Sequence, residues 1–364
     1  MAFESGTTAL IPCTLTGKMP KDFLERLAKY SAGRLDDVRD EPAVGWVSGR
    51  HLLENEISQT TAIFGGHLYV NLRKAERKIP PQLLNAICRR EELAYMQAND
   101  TVVVPKKEKK RIKEDAIERN LMKMPPVISA VPLVVDMASN MLYVGSASLK
   151  SFDLAAGEFL KAMEIEPIPV NIRELMIKFF KKNEMDLPDV SFNGRPGAEP
   201  TPGRDFLTWL WYFSETHSGL LKVGNLGDFT LIVEGPLTFA ISGDDVPGAS
   251  ESTVKKGCPQ MSAEAKAALA VGKKLRKAKI LLARGDAEKW SFTFDADTFA
   301  FSGLSLPETE SMELNTRFEE RVLSLNIFLT AFEAYFQKFA SDIMSGKSGI
   351  LKEIIQWASD RVSL

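Results

Sequence analysis

Histidine and cysteine are scarce, with three of each among 364 residues. His51, His67 and His217 lie far apart and form no HExxH pair, so no helix face offers two imidazoles to zinc. Cys13, Cys88 and Cys258 form no CxxC pair, which argues against a zinc ribbon or a disulfide framework and suits reduced, buried or incidental thiols. No run approaches the ~20 uninterrupted apolar residues of a membrane span, and Met1 to Leu15 has no basic stretch ahead of an apolar core. A soluble cytoplasmic protein with no membrane contact is therefore expected. The chain also lacks a GxSxG elbow and a GxGxxG loop after a strand. Gly346, Lys347 and Ser348 echo the end of a phosphate-binding loop, but Ser341 stands where its first glycine belongs, and a helix precedes it instead of a strand.

What remains is ordinary globular composition, 45% hydrophobic and 26% charged, at a length that suits two or three domains of ~150 residues. The formal net charge of -2 hides local asymmetry. Lys106, Lys107, Lys109, Lys110, Arg111 and Lys113 face the single acid Glu108. From Lys255 to Arg284, Lys255, Lys256, Lys266, Lys273, Lys274, Arg276, Lys277, Lys279 and Arg284 face only Glu264, and an acidic stretch from Asp286 to Glu320 follows. Such separation gives a cationic surface that steers a polyanion even when total charge is near zero. A solvated lysine-rich helix face produces the same pattern, so charge alone does not decide.

Hydrophobic periodicity indicates an α+β chain of mixed helices and antiparallel sheets. Strands are expected at Ala9 to Leu15, Gly66 to Leu72, Val127 to Val135 and Met141 to Val144, and helices at Lys21 to Ala32, from Pro80 and Pro81 onward, at Lys106 to Lys123 and at Leu149 to Met163. In the Lys106 helix the charged residues surround the axis and leave Ile112 to pack, so its first turns should project into solvent. The loop Asn193 to Gly203 separates two halves. Beyond it a hairpin is expected from Asp228 to Val233 and Leu237 to Ile241, turning at Glu234, Gly235 and Pro236. Ser262 caps an expected helix running to about Leu282, with Ala267, Val271, Leu275, Ala278 and Leu282 on one stripe and Lys266, Lys273 and Lys277 opposite. A second hairpin pairs Trp290, Phe292 and Phe294 with Phe299 and Phe301 across Asp295 to Asp297. Phe318, Val322, Leu325, Leu329, Phe332, Phe336, Phe339 and Ile343 form a heptad repeat, whose apolar partner is either the core of its own domain or a second subunit. A short helix from Ile350 to Val362 closes the chain.

Two chemistries compete. Asp295, Asp297, Glu308 and Glu310 could hold Mg²⁺ for nuclease work if folding clustered them, although Asp at a hairpin tip is an ordinary turn former. The basic segments fit polyanion binding better, since duplex DNA carries one charge per ~1.7 Å and spaced cations gain affinity by releasing its counterions. They lack the interleaved aromatics of a single-strand stacking platform. A scaffold binding acidic protein partners is a third class.

The order Val44-Gly-Trp-Val47, Leu72-Arg-Lys-Ala-Glu-Arg-Lys-Ile-Pro80, the Lys106 to Lys113 segment and the Val127 to Ser148 strand pair resembles the recombination-associated protein RdgC family. The resemblance continues through Phe206-Leu-Thr-Trp-Leu-Trp-Tyr212, the Gly272-Lys273 pair and the hairpin before Leu304, to about Ala340. It implies a nucleoid-associated, non-enzymatic protein without cofactors. Two horseshoe-like subunits would close a homodimeric ring around double-stranded DNA, without sequence preference, and limit access of the RecA recombinase. The implied domains are a central α+β domain (1–72 plus 125–172), a protruding helical finger (73–124) and a base α+β domain with the long C-terminal helix (173–364). Lys273 matches a family lysine on a helix facing DNA, and Lys255 with Lys256 fall near a family basic pair. Lys106, Lys107, Lys109, Lys110, Arg111 and Lys113 would act at the finger, and Lys255, Lys256, Lys266, Lys273 and Lys277 at the inner wall. Ile128 stands where the family can carry Phe, and the segment beyond Lys347 is an extension.

Overall fold

The computed structural model describes residues 3–195, 197, 199–243, 248–309, 311–345 and 349–361. Gly346, Lys347 and Ser348 of the loop-like motif, and Glu310 of the acidic set, lie outside the described residues. In chain order the elements are β1 (Thr8–Leu15), α1 (Phe23–Lys29), β2 (Ala43–Ser48), α2 (Gln59–Ala62), β3 (Ile63–Phe64), β4 (His67–Arg77), α3 (Pro81–Ala98), α4 (Lys106–Leu121), β5 (Pro126–Asp136) and β6 (Met141–Val144). There follow α5 (Leu149–Met163), β7 (Pro167–Pro169), α6 (Ile172–Phe180), α7 (Pro202–Thr216), β8 (Leu220–Val223), β9 (Gly227–Ala240) and β10 (Glu251–Val254). The last are α8 (Ala263–Ala270), β11 (Lys274–Arg284), β12 (Glu288–Asp295), β13 (Ala300–Ser305), α9 (Leu314–Met344) and α10 (Ile350–Asp360). The α+β class read from the sequence holds. Contacts divide the chain into two compact units, one of Met1–Met19, Phe64–Leu68 and Val134–Leu364, the other of Pro20–Ile63 and Tyr69–Leu133.

In the larger unit, antiparallel strands run in the order β10-β9-β11-β12-β13-β1-β6, with β8 on β9 and β7 on β1. Strand alternation sorts the side chains. Ala278, Ile280, Leu282, Trp290, Phe292 and Phe294 are buried, while Lys277, Lys279, Thr293 and Asp295 lie on the partly solvated face. The buried face meets α7 and α9. Phe332 sits 4.9 Å from Phe294 and 5.0 Å from Phe301, and Phe206 sits 5.4 Å from Phe336. Every heptad residue from Phe318 to Ile343 is buried within this unit, so the seam finds its apolar partner in its own core. Burying each such ring is worth about 1.5–3 kcal/mol.

Two expected elements require correction. The Ser262 to Leu282 segment is not one helix: α8 ends at Ala270, Gly272 takes φ +88°, and β11 begins at Lys274. A left-handed residue admits glycine and stops a helix. Val271, assigned to the apolar stripe, is exposed, whereas Ala278, Ile280 and Leu282 alternate with period two. Likewise, Asp228 to Ile241 is not a hairpin. Gly227–Ala240 is one strand, and Glu234, Gly235 and Pro236 form an irregularity where the register against β11 slips between Ala278 and Lys279. A bulge accommodates a proline within a ladder. The hairpin partner of β9 is instead β8.

The turn into β8 needs Gly219, at φ +60°, where a Cβ would lie 1.9 Å from the Leu231 carbonyl oxygen. Its own carbonyl accepts the Tyr335 hydroxyl at 2.6 Å, tying α9 to this corner. Gly219→Ala is expected to destabilise the protein by about 2–3 kcal/mol through left-handed strain and overpacking. A urea midpoint unchanged from wild type would contradict this.

In the smaller unit, β2 pairs with β4, Trp46 opposite Leu72, and buried Arg73 donates to the Leu52 carbonyl at 3.0 Å. The same unit holds α3 and α4, which contact each other. Among its described residues α3 buries none, and α4 buries only Ile112 and Ala116. Their outer faces are therefore solvated, as expected for the first turns of the Lys106 helix.

Candidate nucleic-acid interface

Pro105 precedes α4 and Lys106 opens it, so the basic run occupies the first two turns of a helix made from strong helix formers. At 100° per residue, Lys106, Lys109, Lys110 and Lys113 share one stripe. All four are exposed, as are Lys107 and Arg111. Arg111 pairs with Glu108 at 2.8 Å and Lys110 with Glu114 at 3.6 Å. Among the described residues Lys106, Lys107, Lys109 and Lys113 make no ion pair. Lys106 and Lys109 also sit in the first turn, at the positive end of the helix dipole, where cations are unfavourable by about 0.3–1 kcal/mol each. A bound polyanion relieves that repulsion.

The second basic segment is arranged differently. Lys255 and Lys256 are exposed after β10. On α8, Lys266 donates its Nζ to the Arg361 carbonyl at 2.7 Å. Lys273 follows Gly272 and donates to Ser252 Oγ at 3.3 Å. Lys277 lies on β11, bound to Asp295 at 2.9 Å. These lysines thus come from a loop, a helix, a turn and a strand, and not from one helix face. The strand pairing compensates much of the charge: Lys277 is opposite Asp295, and Arg284 is opposite Glu288, as direct ladder partners. Lys279 is likewise opposite Glu234, at 3.1 Å. Cross-strand ion pairs of this kind are local stabilisers. Hydrogen bonding to Glu251 raises the Arg276 pKa, and bonding to Glu288 raises that of Arg284. Lys274 is buried against Asp205 and Asp189.

The acids considered for Mg²⁺ are largely spoken for. The Asp297 N–H donates to Asp295 Oδ1 at 3.1 Å, and Arg204 grips Asp297 through two bonds of 2.7 and 2.8 Å. Glu308 is exposed. Among the described residues, no group of three or more His, Cys, Asp or Glu is placed to hold a metal ion. No described helix is long and apolar enough to cross a membrane. Ile128 is half-buried on β5.

Comparison with known proteins adds one match. Residues 19–178 fit the family model described as "Putative exonuclease, RdgC", a span that contains α3, α4 and the whole Lys106 to Lys113 stripe. No curated protein matches the chain. Over residues 19–178, then, the chain is similar to the RdgC family.

Proposed function

We propose that the protein binds double-stranded DNA without sequence preference, using the α4 lysine stripe as its principal contact. The carrying observation is four exposed lysines on one helical face, three of them without an ion-pair partner among the described residues, inside the RdgC-matched span. Lysine contacts to phosphate carry no base information, so affinity depends on salt and hardly on sequence. The exposed Lys255 and Lys256, with Lys273, add a second contact region, while Lys266 and Lys277 contribute only where phosphate displaces their present partners.

The RdgC resemblance extends the proposal to a nucleoid-associated homodimer that encircles DNA and limits RecA access, acting by occupancy and not by catalysis. Encirclement lengthens the life of weak phosphate contacts because release requires an interface to open. Solution mass measured with and without a duplex tests both parts. A dimer that retards unrelated duplexes equally at ~50 mM salt is expected; a monomer removes the ring, and failure to retard any duplex removes the DNA reading in favour of a protein-binding scaffold.

The family description keeps an exonuclease as the second reading. Mg²⁺-dependent shortening of duplex ends that disappears in Asp295→Asn with Asp297→Asn would establish it, whereas intact DNA ends after prolonged incubation support binding alone.

A further inference from the structure

The carboxy-terminal helix α10 lies beyond the stretch that resembles RdgC, and its anchorage is concentrated at one end. Among its described residues only Ile354 and Ala358 are buried. Arg361, directly after the helix, is held on every side. Its guanidinium lies 3.9 Å from the Trp211 ring centroid and 4.8 Å from that of Trp357, and it donates to Glu215 through bonds of 2.6 and 3.1 Å. Glu215 also accepts the indole N–H groups of Trp211 at 2.7 Å and Trp357 at 2.9 Å. A guanidinium between aromatic faces and bonded to a carboxylate is a strong local clamp.

That clamp fixes the position of the Arg361 carbonyl, which accepts Lys266 Nζ at 2.7 Å. A backbone carbonyl oxygen carries a partial negative charge, so the Arg361 carbonyl just beyond α10 occupies Lys266 as an acceptor in the place a phosphate oxygen would take. From this arrangement we propose that α10 is an autoinhibitory strap: the Arg361 clamp seats the helix end on α8 and withholds Lys266 from DNA. The proposal rests on the DNA-binding reading for its consequence, but not for its geometry.

The test uses the full chain as wild type, Arg361→Gln, Lys266→Met and the double variant, with Glu215→Gln as an independent way to open the clamp. Acylation of individual lysines, followed by mass spectrometry, reports whether Lys266 is available. A fluorescent duplex titrated at ~50 and ~200 mM salt reports its use. In wild type, Lys266 should react much more slowly than Lys255, and both clamp variants should bring it to the Lys255 rate. Release adds one phosphate contact, so the salt slope should steepen by about 0.9, equivalent to roughly threefold more affinity lost between those two salt concentrations. In the double variant, Lys266→Met should cancel the gain that Arg361→Gln brings. Equal reactivity of Lys266 and Lys255 in wild type would overturn the strap, as would a gain that survives Lys266→Met in the double variant. If no variant binds duplex, the DNA reading falls, while the acylation rates still decide whether α10 shields the lysine.

Discussion

Replacing Lys106, Lys109, Lys110 and Lys113 together by glutamate is expected to lower affinity for all duplex sequences by about a hundredfold or more at ~50 mM salt, and to flatten the salt slope by about 3–4. The magnitude follows from removing four lysine–phosphate pairings together, each of which releases close to one counterion. The effect should be uniform because a lysine at a phosphate positions the protein without reading bases. The helix should survive the change: Lys106→Glu and Lys109→Glu put acids in the first turn, where they favour the helix, which offsets the loss of the Lys110–Glu114 pair and the like-charge neighbours it leaves, and the buried Ile112 and Ala116 stay in place. Circular dichroism should therefore match wild type while DNA retardation fails. Retained affinity with an unaltered salt slope would remove α4 from the interface and transfer the binding role to Lys255, Lys256 and Lys273.

The contrast between the two basic segments shows what a sequence does and does not expose. The α4 stripe is legible because one composition persists over several turns after a proline, and because the face needs no partner to be recognised. The 262–282 segment misleads because Ala267, Leu275, Ala278 and Leu282 satisfy a helical period, while the deciding residue, Gly272, acts through its left-handed φ instead of through hydropathy. Glu234-Gly-Pro236 carries turn chemistry, yet the ladder with β11 absorbs it as a bulge. The aromatic alternation of β12 and the heptad of α9 are readable because each repeats its apolar signal several times. Charge compensation is not readable in the same way: Lys277 and Asp295 become neighbours only through strand register, and Lys266 meets Arg361 across 95 positions. Counting cations along the chain therefore overstates the free charge of the second segment and leaves that of α4 nearly intact.

Lys274 supplies the largest expected effect on stability, because it is a buried cation committed to structure within a segment that otherwise reads as surface charge. Its Nζ lies 2.5 Å from Asp205 and 2.9 Å from Asp189, and Asp205 also accepts the Val190 N–H at 3.1 Å. Lys274→Met would leave the Asp205 carboxylate buried without its counterion, a change that typically costs about 3–5 kcal/mol and lowers Tm by roughly 10 °C. Adding Asp205→Asn to that variant removes the stranded charge while keeping an acceptor for Val190, so much of the stability should return. The pH dependence gives a sharper test. Burial, opposed by Lys274, lifts the Asp205 pKa from 3.8 to about 7, so in wild type its contribution to stability falls as pH rises from 3.8 toward 7. Without Lys274 the carboxyl is pushed higher still, so protonation relieves the stranded charge near neutrality and its full cost is met only at alkaline pH. The stability gap between wild type and Lys274→Met should accordingly be smaller at pH 5 than at pH 8 and widen as pH passes about 7. Denaturant titrations at both pH values measure that gap directly; a gap that is the same at both, or no recovery on adding Asp205→Asn, would mean that Lys274 stabilises the fold through the packing of its stem and not through its charge.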